Sequence, residues 1–209
     1  MTCLRIIAFV DIHGNMRALE EVCSSAVDAD IMLCSGDLTQ FSNRLDLILR
    51  KLDSIGKPLF LIHGNHETSE EMADRCRKLK NIEFVHKRTV FIGNTMITGY
   101  GGGGFSEHDK EMGIFFSRIQ RDFIGKIDES RRRLTRTILL THSPPYGTHL
   151  DELGGSHHGN RSITSFLKKN KINVILNICG HFHENAYKDD RLGRVTVINP
   201  GPAGTIIEA

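Results

Sequence analysis

Eight residues of this chain have the types and spacing to do chemistry together: Asp11, His13, Asp37, Asn65, His66, His142, His181 and His183. They sit in five short polar motifs, VDIHGN (10–15), SGD (35–37), GNHE (64–67), THSPP (141–145) and GHFH (180–183). Carboxylate oxygens, an amide oxygen and imidazole nitrogens can hold two divalent cations side by side, the arrangement that activates water and polarises a phosphoryl group at neutral pH. The spacing in DIH suggests that Asp11 and His13 alternate along extended backbone and face one side, and HFH suggests the same of His181 and His183. Asp37, with two carboxylate oxygens, is the natural bridge between cations ~3.5–4 Å apart. One cation is then assigned Asp11, His13, Asp37 and His183, and the other Asp37, Asn65, His142 and His181. Manganese leads the expectation, iron, zinc or cobalt suit the same donors, and calcium would be unusual with so many imidazoles.

Every motif begins where an apolar run ends. Residues 4–10, 31–34 and 59–63 read as central strands buried on both faces. Between them, Met16, Leu19, Val22, Cys23 and Ala26 fall at helical spacing, as do Leu45, Ile48, Leu49, Leu52 and Ile55. This βαβαβ pattern calls for a parallel sheet. A helix over 69–80 follows, then short strands at 82–85, 89–92 and 95–100, with Gly93-Asn94 as a hairpin turn. The glycine run 101–104 reads as a flexible joint, the hinge of a lid, and leads into one long helix over 111–134. Strands resume at 137–141 and 173–179, separated by a short helix that Asn160 caps and that turns Ile163, Phe166 and Leu167 inward. A last hairpin over 186–199 turns near 190–193. In open α/β folds ligands gather outside the carboxyl ends of strands, so residues far apart in sequence converge on one pocket.

The five motifs, in this order over Asp11 to His183, resemble the calcineurin-like metallophosphoesterase superfamily, whose pattern is DxH, GD, GNH followed by an acid, a lone His, and GHxH. The resemblance implies an α/β fold bordering on α+β, a four-layer α-β-β-α sandwich of two mixed sheets with a two-metal centre at one edge. VDIHGN and the closing INPGPA (198–203) look most like the small prokaryotic phosphoesterases related to cyclic-nucleotide phosphodiesterases. In the mechanism the family implies, a hydroxide bridging the two cations attacks phosphorus in line, and His66 serves the leaving oxygen, a task suited to an imidazole that titrates near neutral pH. The second motif continues as GDLTQFS, with Gln40 in place of the Asp of the protein phosphatases and no Arg after it, so a Ser/Thr protein phosphatase is disfavoured. Arg17 or Arg44 stands as a substitute grip for phosphate. The expected partner is a small phosphodiester or nucleotide. A nuclease of the same superfamily and a non-catalytic protein-binding scaffold with this fold are the alternatives.

Bulk properties agree. The 209 residues fit one domain over 1–209. A net charge of +2 from 27 basic and 25 acidic residues argues against a nucleic-acid groove or an anionic membrane as partner. Five cysteines (Cys3, Cys23, Cys34, Cys76, Cys179) without CxxC spacing are read as free, buried thiols, hence a cytoplasmic setting. Neither a secretory leader nor a membrane span is expected. Of the weaker features, His63, His86, His108 and His149 are read as packed or solvated side chains, and GxGxxG at 99–104 lacks the βαβ unit of a dinucleotide site. His157 and His158 either reach the substrate or sit in an exposed loop. Asn199 is read as turn chemistry and Arg131 to Arg133 as the solvated end of a helix.

Overall fold

A computed structural model describes residues 4–209; the expectation for Cys3 lies outside them. In chain order the elements are β1 (Arg5–Phe9), α1 (Met16–Ala26), β2 (Ile31–Cys34), α2 (Leu45–Asp53), β3 (Leu59–Leu61), α3 (Ser69–Cys76), β4 (Ile82–Phe84), β5 (Thr89–Ile92) and β6 (Thr95–Tyr100). There follow α4 (Lys110–Lys126), α5 (Glu129–Leu134), β7 (Arg136–Thr141), β8 (Glu152–Leu153), β9 (Ser156–His157), α6 (Arg161–Lys169), β10 (Val174–Ile178), β11 (Lys188–Leu192), β12 (Val195–Asn199) and β13 (Thr205–Glu208).

The apolar runs become central strands because both of their faces have somewhere to go. Along β1, Ile7 and Phe9 pack with Leu19 and Val22 of α1 and with Ile48, Leu49 and Leu52 of α2. Ile6 and Ala8 turn the other way, toward Ile97, Ile138, Leu140 and Ile178 of a second sheet. On its far side that second sheet packs Met96, Leu139, Val174 and Val197 with Phe115 and Ile119 of α4 and Ile163, Phe166 and Leu167 of α6. Three apolar layers therefore separate four layers of structure, α-β-β-α, as the family resemblance implies.

The first sheet has the order β13-β1-β2-β3-β4, with β1 to β4 parallel and β13 antiparallel at the edge. The second has the order β11-β12-β10-β7-β6-β5; its four inner strands are parallel, and β5 and β11 pair antiparallel at its edges. In both sheets the motifs leave the carboxyl ends of parallel strands. The two sets of ends are joined: Ser35 Oγ, after β2, donates to the Ile178 carbonyl at 2.9 Å, and His142 Nδ1, after β7, lies 2.9 Å from the Ser35 carbonyl.

Four local expectations change. The long helix over 111–134 is two helices, because the Asp128 carboxylate takes the Arg131 amide at 2.9 Å and starts α5 afresh. The helix from Ser69 ends at Cys76 rather than Lys80, since Asp53 Oδ1 accepts the Lys80 and Asn81 amides at 3.1 and 2.7 Å and draws the chain away. The last hairpin turns at Gly193-Arg194, and β13, unexpected from sequence, closes the first sheet beside β1. The glycine run 101–104 is tied down: the Gly101 amide donates to His86 Nδ1 (2.8 Å), the Gly102 amide to the His63 carbonyl (3.1 Å), and Ser143 Oγ to the Gly104 carbonyl (2.9 Å). No helix among the described residues is long and apolar enough to cross a membrane.

Candidate metal centre

The strand ends bring the predicted donors together, but not by extended backbone. Asp11, His13, Asp37 and His181 have φ of 56°, 46°, 50° and 71°, the left-handed region that L-residues with side chains rarely adopt. The first motif coils because its amides follow the second: Asp11 N bonds Gly36 O (3.1 Å), His13 N bonds Asp37 O (3.0 Å) and Gly14 N bonds Leu38 O (2.9 Å). His183 opens a single 3-10 turn rather than ending a strand. Four strained residues in one cluster mark a place where side-chain position is held at the backbone's expense. The glycines next to the donors have a steric reason: a Cβ on Gly64 would lie 1.9 Å from Asp37 Oδ1, and one on Gly180 would lie 2.7 Å from Asp11 Oδ2.

Asp37 is central and nearly fully buried. Its Oδ1 accepts the His66 amide at 2.9 Å. Its Oδ2 faces His142 Nε2 at 3.3 Å, His13 Nε2 at 3.7 Å and His66 Nε2 at 3.9 Å. Oδ1 thus accepts a backbone amide, and Oδ2 is the oxygen turned toward the imidazoles. On one side of Oδ2 stand His13, Asp11 Oδ1 at 3.9 Å from His13 Nε2, and His183, whose Nε2 is 2.9 Å from that of His13. On the other, Asn65 Oδ1 lies 3.0 Å from His142 Nε2 and 2.9 Å from His181 Nδ1. All seven expected ligands lie together around Asp37. Asp11, His13 and His183 have ligand atoms within 4.8 Å of one another, as do Asp11, Asp37 and His142. His66 shares such a trio with His13 and Asp37.

The donor set fits a cation. His142 Nδ1, with only the Ser35 carbonyl before it, carries the proton of a neutral ring, which leaves the Nε2 lone pair facing two further acceptors, Asn65 Oδ1 and Asp37 Oδ2. Asp11 Oδ1 and His181 Nε2 are buried with no hydrogen-bond partner. Converging lone pairs and orphaned buried acceptors are costly without a positive charge among them. Protonation answers part of this need. Burial would push the His142 imidazole down, but the hydrogen bond and charge of Asp37 overcome it and raise it to about 9. Burial would raise the Asp37 carboxyl, and His142, the His66 amide and His13 hold it at about 2. Burial lowers His181 to about 4, with His142 adding to the effect, and it raises Asp11 against the pull of His142. One face of the cluster opens into a cavity of about 510 Å³ lined by Asn15, Gln40, His66, His183 and Pro202 as well as Asp11 and His13.

Three residues that sequence reasoning left without a role support the site. Glu67, the acid after GNH, is buried and accepts the Thr39 amide and hydroxyl, both at 2.8 Å, and the Gly64 amide at 3.3 Å, which locks the second and third motif loops together. Ser35 links the sheets and orients His142, as carboxylates and carbonyls do behind metal-bound histidines. Phe41 lays its ring beside His66, centroids 4.6 Å apart. An acid and a serine inside the motifs were visible signals; an aromatic in a polar loop was a fainter one. Arg17 is exposed and pairs with Glu21 at 3.3 Å, and neither it nor Arg44 lines the cavity. His157 is held by Asp151 at 2.9 Å, and Asn160 caps α6 as expected. Asn199 accepts the Gly201 amide at 3.0 Å, which is turn chemistry. His63 is buried against His86, whereas His108 and His149 are exposed. Cys34, Cys76 and Cys179 are buried free thiols and Cys23 a half-buried one.

The fold is shared widely. A protein from Thermus thermophilus superposes with a TM-score of 0.73 at 20% identity over 97% of this chain and 91% of its own. A dimetal phosphatase from Danio rerio gives 0.60 at 12% identity over 95% and 89%, and the Thermus thermophilus sulfate thiohydrolase SoxB gives 0.58 at 14% over 96% and 52%. Identities this low establish the fold alone, and the last of these names a reaction outside phosphate chemistry. No curated protein matches the chain in sequence. The family model of calcineurin-like phosphoesterases matches residues 4–185, which span all five motifs. The chain therefore belongs to the calcineurin-like phosphoesterase family, metal-dependent hydrolases of phosphoric esters.

Proposed function

We propose that this protein is a binuclear phosphoesterase that hydrolyses a small phosphodiester or nucleotide. The observation that carries the reading is Asp37 Oδ2, flanked on one side by His13, Asp11 and His183 and on the other by His142, Asn65 and His181. Asp11, His13, Asp37 and His183 would hold one cation and Asp37, Asn65, His142 and His181 the other, manganese being the first candidate. Bound there, the cations lower the pKa of an attacking water and offset charge that builds on the phosphoryl oxygens. The chain's own residues do the rest. Ser35 fixes the His142 tautomer that leaves Nε2 free, and the His66 amide fixes the Asp37 carboxylate so that Oδ2 faces both groups. His66, beside the cluster and lining the cavity, gives a proton to the departing oxygen. The open cavity and the near-neutral charge suit a compact ester better than a nucleic-acid strand.

The test compares bis-p-nitrophenyl phosphate with p-nitrophenyl phosphate in manganese, zinc, magnesium and chelator. Turnover should need the metal and favour the diester. Clear preference for the monoester overturns the diesterase assignment, and equal turnover in chelator overturns the metal centre.

A further inference from the structure

Phe41 is 81% exposed, although it belongs to a loop that is otherwise firmly held. Thr39 is bonded to Glu67 through its amide and hydroxyl, and Ser42 Oγ donates to Glu71. Between and just beyond these anchors Phe41, Ser42 and Arg44 have φ of 50°, 60° and 60°. A bulky aromatic residue in the left-handed region is an outlier that persists only where its surroundings fix it. This strained, anchored turn holds an apolar ring out in water, where burial would ordinarily be favoured. The ring is not free-standing: it meets the His66 imidazole at 4.6 Å between centroids, inclined by 54°. His66 also meets His13 edge-on at 4.8 Å and faces Asp37 Oδ2 at 3.9 Å. His66 is thus in contact with both the donor cluster and Phe41.

We propose that Phe41 is a specificity-determining residue, the platform on which a flat, apolar leaving group of the ester, an aryl group or a nucleoside base, rests beside His66. The inference builds on the phosphoesterase reading. If His66 serves the departing oxygen, the group that oxygen carries lies near His66, and the exposed ring standing against His66, next to Gln40 of the cavity lining, is Phe41. A planar π-face can stack on it regardless of substitution pattern, whereas an alkyl group gains little. Phe105, also exposed, stands elsewhere, edge-on to His181 at 4.8 Å, on the opposite group of donors.

The experiment measures binding to the manganese-loaded protein of phenylphosphonate and methylphosphonate, neither of which has an ester bond to cleave. Wild type should bind the phenyl compound ~10-fold more tightly, the lower range for one aromatic stack. Phe41→Ala should bring the ratio to about one and Phe41→Trp should keep it. In turnover, Phe41→Ala should raise KM for aryl diesters far more than for dimethyl phosphate, with the larger change in KM rather than in kcat. Equal binding of both anions by wild type overturns the proposal, as does a ratio that survives Phe41→Ala. Loss of the ratio in Phe105→Ala but not in Phe41→Ala overturns it by moving the platform to the His181 side. A fall in kcat for every ester overturns it too, since Phe41 would then merely orient His66. Failure of the manganese-loaded protein to bind either anion would strike the phosphoesterase reading itself, and the platform with it.

Discussion

Asp37 turns Oδ2 toward His142 and His13 while Oδ1 accepts the His66 amide, and its own amide should not replace it. In Asp37→Asn the group facing His142 Nε2 and His13 Nε2 is neutral, and if the NH2 turns inward it presents a donor where a cation must sit. The variant should lose bound metal by elemental analysis and lose turnover in every cation tried; retention of two metals per chain would show that Asp37 is not the bridge. His66 is expected to behave differently. Its amide, not its side chain, holds Asp37, so His66→Ala should keep its metals while kcat on esters with poor leaving groups falls ~10²–10⁴-fold, the usual worth of a positioned proton donor. Nitrophenolate esters, whose leaving oxygen needs no proton, should suffer far less. Wild-type rates on the poor leaving groups would remove His66 from the reaction; loss of metal would recast it as a ligand, which its place in a trio with His13 and Asp37 makes a concrete alternative.

Elements were legible wherever one physical signal dominated. The apolar runs of β1, β2 and β3 carry no competing pattern, and the Asn160 cap and the Gly93-Asn94 turn are written in single residue types, so the parallel sheets and the convergence of motifs at their ends follow from sequence. What stayed hidden depended on distant partners. The left-handed turns at Asp11, His13 and His181 arise from bonds to another motif or from packing across the sheets, and alternation along an extended strand is the only geometry that residue spacing by itself can suggest. The same is true of the loop after β6. Its glycines read as a hinge, yet Gly101 donates to His86 Nδ1, and that bond requires a neutral imidazole. Burial, with His63 and Lys87 adding to it, lowers His86 to about 3. The rings of His63, Phe84 and Tyr100 pack around it, and no carboxylate is among these neighbours. Because the unfolded chain takes up this proton near pH 6.5 and the folded one does not, His86 contributes stability that is complete above that pH and is lost as pH falls toward 3. Urea unfolding of wild type and His86→Gln, which keeps an acceptor for Gly101 without titrating, should show the wild type losing ground steadily between pH 7 and 4.5, with about one extra proton taken up on unfolding. A difference that does not vary with pH would mean that His86 takes up its proton as readily in the fold as in the unfolded chain.

At the scale of the molecule, the ligand set straddles the two sheets. Asp11, His13, Asp37 and Asn65 leave strands of the first, and His142, His181 and His183 leave strands of the second. The apolar layer between the sheets sets their distance, and Ser35 ties their ends through Ile178 and His142. Without cations, however, the same ends bring two buried carboxylates near one another and leave Asp11 Oδ1 and His181 Nε2 without partners, a local cost at the seam. Metal binding should therefore act as a staple across the sandwich. A ligand that binds only the folded state adds about 2.7 kcal/mol at a hundred times its Kd, and a domain of this size gains roughly 2–4 °C per kcal/mol, so saturating manganese should raise the unfolding temperature by about 5–10 °C. Chelator should reverse the gain, and Asp37→Asn, which lacks the charge shared by both groups, should show little of it. Cations held by residues of both sheets would link them, and the increment should then also appear in hydrogen exchange on both sides of the seam, slowing the amides after β2 and after β10 together. Protection confined to the first sheet would mean that His142, His181 and His183 do not share in holding the metal.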